Sequence, residues 1–79
     1  MAHPDISKAR EARNKAHADV VAHMRALRAD LAVALQLAGG RHHIPRVDLD
    51  GIEKGVDNLK GSLVHYENAC TNVEFLEES

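Results

Sequence analysis

Seventy-nine residues and 8.6 kDa make one small domain at most, and a chain of this length buries only about 60% of its unfolded surface. Cys70 is the only cysteine, which excludes an intramolecular disulfide, and Tyr66 and Phe75 are too few aromatics for a platform that stacks bases or sugars. The formal charge of −2 gives no global attraction to nucleic acid.

The opening Met1 to Asp5 has neither the basic leader nor the apolar stretch of a signal peptide, and no apolar run approaches the roughly 20 residues that cross a bilayer. A cytoplasmic setting is therefore expected. Pro4 and Asp5 mark a helix start, and neither Pro nor Gly interrupts the chain from Ile6 to Ala38. The first helix is predicted over about 5–38, with Gly39 or Gly40 taking a left-handed cap. A basic loop over 39–47 carries Arg41, His42, His43 and Arg46, and Pro45 opposes continuation of the helix. Asp50 and Glu53 have capping-box spacing, so a second helix is predicted from about 48 to 76.

Both helices carry an apolar stripe at alternating steps of three and four. In the first it reads Val20, Met24, Leu27, Leu31, Ala34 and Ala38; in the second, Ile52, Val56, Leu59, Leu63, Tyr66, Cys70 and Val73. The fold class is therefore all-α, an antiparallel two-helix hairpin with a coiled-coil-like seam. Residues 1–28 carry six basic and three acidic side chains, net +3; residues 48–79 carry two basic and eight acidic, net −6. Antiparallel packing then sets Arg10 and Arg13 near Glu74, Glu77 and Glu78.

More apolar surface is present than one seam consumes. Ala22, Ala26, Ala29, Val33 and Leu37 form a second stripe on the first helix, and residues 31–38 are apolar on nearly every side. Gly51, Gly55, Asn58, Ser62 and Ala69 form a small-residue stripe on the second, which either admits another backbone or merely weakens the helix. These stripes are the expected interface of a homodimeric four-helix bundle or higher oligomer. Val64, Asn68, Thr71 and Phe75 lie on a further face and are the candidate contact with another protein, or else an inter-subunit contact.

Other chemistry is thinner. Arg41, His42, His43 and Arg46, or Arg10 and Arg13, converging from several copies could hold a small anionic ligand such as a nucleotide; a solvated connection is the plainer reading. His17 and His23 lie on different faces and no His-x3-His pair exists, so no metal or cofactor is expected unless symmetry mates combine their imidazoles. His3 has the spacing of an amino-terminal copper or nickel ligand only if Met1 is retained. Cys70 with His17 or His65 could be drawn as nucleophile and base, yet Cys70 falls on the seam, where cysteine behaves as a small hydrophobe. The expectation is a non-enzymatic, self-associating helical protein that binds another protein as regulator, adaptor or inhibitor. Anionic-ligand binding is the alternative, and nucleic-acid binding through Lys8, Arg10, Arg13, Lys15, Arg25 and Arg28 is weaker still because acidic residues interleave them.

Overall fold

The structure, a computed structural model, describes residues 5–40 and 42–78; residues 1–4, 41 and 79 lie outside the described residues. Two long helices pack against each other, and no strand occurs among the described residues. Helix α1 spans Ile6–Gly39 and helix α2 spans Arg46–Glu78. The predicted boundaries are met within two residues at each end. At the start of α1 the Asp5 carbonyl accepts the Ala9 N–H at 3.0 Å, closing the first turn.

Two local details differ from expectation. Gly40 ends α1 at φ −82°, outside the left-handed region, while its N–H reaches Gln36 O at 3.1 Å and the His42 N–H reaches Leu37 O at 3.0 Å. Those two bonds satisfy terminal carbonyls without an inverted residue. Helix α2 starts before Asp48, because the carbonyl of Pro45 accepts the N–H groups of Asp48 and Leu49 at 3.0 and 3.2 Å. Proline's fixed φ prepares that turn, and Asp48 within it complements the helix dipole. Asp50 and Glu53 therefore lie inside the helix and form no capping box at its start.

The hairpin is a rod of 60 × 14 × 14 Å with a radius of gyration of 17.7 Å. A compact domain of this length would have about 12 Å. Antiparallel register is fixed near the open end by Arg10 Nη2 donating to Glu77 Oε1 at 3.1 Å. Farther in, His17 and Tyr66 stack at a tilt, with ring centroids 5.7 Å apart. In the loop half, α1 and α2 come so close that a Cβ at Gly55 would sit 3.2 Å from Leu27 Cδ1.

The seam on α1 is rolled relative to the stripe read from the sequence. Its inward positions are Ile6, Ala9, Arg13, Ala16, Val20, His23, Leu27, Ala34 and Leu37, all buried or half-buried. Met24, Leu31 and Ala38, expected in the seam, are exposed. The outer half of α1 explains the roll: only this setting turns Ile6, Ala9 and Ala16 inward instead of Arg10. On α2 every expected seam residue is buried or half-buried, and Gly51, Gly55, Ser62 and Ala69 are half-buried as well. Burial is uneven along the rod. Ile6, Ala9, Ala16, Val20 and Val73 form a core toward the open end, whereas toward the loop Ala34 is the buried apolar residue among the described residues. Alanine there lets the helix axes approach closely.

Candidate interaction surfaces

The face of α2 turned away from α1 carries Val64, Asn68, Thr71 and Phe75, all exposed. Phe75 is 67% and Val64 56% exposed, and the Thr71 hydroxyl donates to the Glu67 carbonyl at 3.0 Å. This is an apolar-polar strip on a helical face with Phe75 as its largest side chain.

The residues expected to join copies divide between two places. Ala22, Ala26, Ala29 and Val33 lie exposed on α1, while Leu37 is half-buried on the seam. Gly51, Gly55, Ser62 and Ala69 border α1 of the same chain, and Gly55 faces Leu27 directly. At Gly55 the smallness serves the intrachain approach, whereas a Cβ at Gly51 would meet open space. Beside this edge, Asp30, Val33, Val47, Asp48 and Gly51 line a shallow cavity of about 160 Å³. Pockets for drug-sized ligands are larger, roughly 300–1,000 Å³.

The opposite edge was not read as a surface from the sequence. Stepping inward from Arg10–Glu77 by heptads places His17 beside Cys70, Met24 beside Leu63, Leu31 beside Val56, and Ala38 beside Leu49. The first step agrees with the observed ring contact between His17 and Tyr66, one turn before Cys70. Hydrogen bonding to Cys70 and the charge of that side chain, with some burial, raise the Tyr66 hydroxyl above its ordinary value, and Arg13 opposes them. From Met24 to Ala38 and back from Leu49 to Leu63 the positions that flank the seam on this edge are apolar, with Arg28, Glu53 and Lys60 as well as Leu35 just outside them. Met24 is 49% and Leu31 47% exposed, and Leu35 stands exposed just outside them. The signal was present in the sequence as the stripe through Met24 and Leu31; what was missing was the roll that turns it out of the seam.

His42, His43 and Arg46 are exposed, the His42 ring folds against Gly40, and Arg41 lies outside the described residues, as does His3. Arg10 pairs with Glu77, and Arg13 is half-buried beside Tyr66. Among the described residues no group of three or more His, Cys, Asp or Glu side chains is placed to hold a metal ion, and no helix is long and apolar enough to cross a membrane. Comparison of the chain with protein-family models, with curated proteins and with solved structures finds no match.

Proposed function

We propose that the chain is a small self-associating helical protein that acts by binding another protein, with Val64, Asn68, Thr71 and Phe75 as the contact. The observation that carries this reading is the outward strip on α2, where Phe75 and Val64 are more than half exposed at helical spacing. A few large side chains dominate interface energies, and phenylalanine beside β-branched and amide neighbours suits a helix or groove of a partner. A rod this thin also favours recognition across a long face over enclosure of a small molecule.

The test uses wild type, Phe75→Ala and Val64→Asp, each immobilised and exposed to soluble extract of the source cells. A discrete protein retained by wild type and lost by both variants is the expected result. After purification it should bind the wild-type chain in solution, with affinity at least about tenfold weaker for Phe75→Ala. Equal retention by all three, or equal affinities, refutes the assignment of this face.

A further inference from the structure

We infer that the occupant of the apolar edge formed by Met24, Leu31, Leu35, Leu49, Val56 and Leu63 is the same edge of a second copy, the two hairpins lying side by side with their loops at the same end. This rests on the self-association in the proposed function and specifies its face and direction, replacing the small-residue stripes as the joint between copies.

Three observations carry it. First, the apolar stripes of both helices extend past the seam onto the same edge. Met24, Leu31 and Leu35 stand exposed beside the seam of α1 and Leu49 beside that of α2, where Val56 and Leu63 are only half-buried. A helix with one neighbour centres its apolar stripe on that neighbour. A stripe centred between the seam and an adjacent face belongs to a helix with two neighbours at right angles, the corner of a four-helix bundle.

Second, the surface is large for a chain of this mass. The chain exposes 6240 Å², against about 4,700 Å² for a globular protein of its mass. The excess of roughly 1,500 Å² accommodates the ~800 Å² per partner of a standard interface.

Third, charge selects the direction. Helix α1 carries six basic and three acidic side chains, net +3, and α2 three basic and eight acidic, net −5. A two-fold axis along the rod sets each α1 beside the α2 of the other copy, opposite charges adjacent and the apolar halves in full overlap. A two-fold axis across the rod sets α1 on α1 and acidic α2 on acidic α2. The other edge is less suited, because Asp30 and Asp48 lie in its cavity.

The arrangement gives the single cysteine a distinctive position. Cys70 lies on the pairing edge, so its two copies share one layer of the bundle on diagonally opposed helices, whose axes are about 11–14 Å apart when neighbouring axes are about 8–10 Å apart. With the axis across the rod at the Leu31–Val56 layer, each Cys70 is fourteen residues from Val56, and the two thiols are roughly 40 Å apart.

The experiment combines light scattering across a wide concentration range with thiol cross-linking. The wild-type chain should have twice its 8.6 kDa mass, and a short bismaleimide should join two chains through Cys70. Leu31→Glu and Met24→Lys, at positions half exposed in the single hairpin, should halve the mass with the helical circular-dichroism spectrum retained, while Val33→Glu keeps the dimer. A wild-type monomer at every concentration overturns both this pairing and the self-association beneath it. A dimer that survives Leu31→Glu but is broken by Val33→Glu overturns the edge alone. A dimer whose Cys70 residues never cross-link overturns the parallel direction.

Discussion

Replacing Gly61 by alanine should stabilise the hairpin, and replacing Gly55 should not. Both glycines lie inside α2, where alanine is favoured over glycine by about 1 kcal/mol through backbone entropy. At Gly61 a Cβ meets nothing within 4 Å, so the full gain is available. At Gly55 the same Cβ would stand 3.2 Å from Leu27 Cδ1, forcing the end of that side chain to move by a few tenths of an ångström. The strain offsets most of the propensity gain, giving a net change near zero, and Gly55→Leu overpacks the seam at a cost of about 1–3 kcal/mol. Gly51 resembles Gly61 in having open space, so Gly51→Ala should add another ~1 kcal/mol. Unfolding entropy of about 2.1 cal/mol/K per residue gives ~165 cal/mol/K for seventy-nine residues, so each kcal/mol raises Tm by about 6 °C. Thermal unfolding followed by circular dichroism at one fixed protein concentration measures all four variants on the same scale. If Gly55→Ala raises Tm as much as Gly61→Ala, the close approach of the helices at Leu27 is refuted.

Three further outcomes follow from the seam. The His23 Nδ1 is buried without a hydrogen-bond partner, so His23→Leu should stabilise by about 1–2 kcal/mol in urea unfolding; a loss would mean the imidazole is satisfied. The Arg10–Glu77 pair is about half exposed, and Arg10→Ala should cost less than about 1 kcal/mol, with the difference fading in high salt. Cys70→Ala removes the hydrogen bond and the charge that raise the Tyr66 hydroxyl, so tyrosinate absorbance should appear at lower pH than in wild type. Because the folded hydroxyl lies above its ordinary value of 10.0, the stability linked to it is present below that pH and is lost as pH rises through the folded value. An unchanged titration after Cys70→Ala would remove the thiol as its cause.

Helix content, the number of helices and their antiparallel pairing were legible in the sequence, because a long run without Pro or Gly and a three-four apolar repeat determine them locally. The Arg10–Glu77 contact was equally legible, since opposite net charges at the two ends of a hairpin leave little choice of register. The stop of α1 and start of α2 were placed closely, although the devices differ: hydrogen bonds onto Gln36 and Leu37, and a Pro45 carbonyl, replace the left-handed glycine and the capping box. The outward placement of Val64, Asn68, Thr71 and Phe75 likewise follows from helical spacing relative to the α2 stripe.

The roll of α1 about its own axis was decided only by tertiary packing. Periodicity within residues 20–38 favours Met24 and Leu31 in the seam, whereas Ile6, Ala9 and Ala16 pull the other way, and a straight helix can honour only one choice along its length. The open-end residues prevail, because Ile6, Ala9, Ala16, Val20 and Val73 can then be buried together while Arg10 turns outward to reach Glu77. The same roll sets Gly55 of α2 against Leu27 and leaves larger apolar side chains of the loop half at one edge. A sequence records how much apolar surface each helix carries; which part of it faces the neighbouring helix depends on packing between segments far apart in the chain.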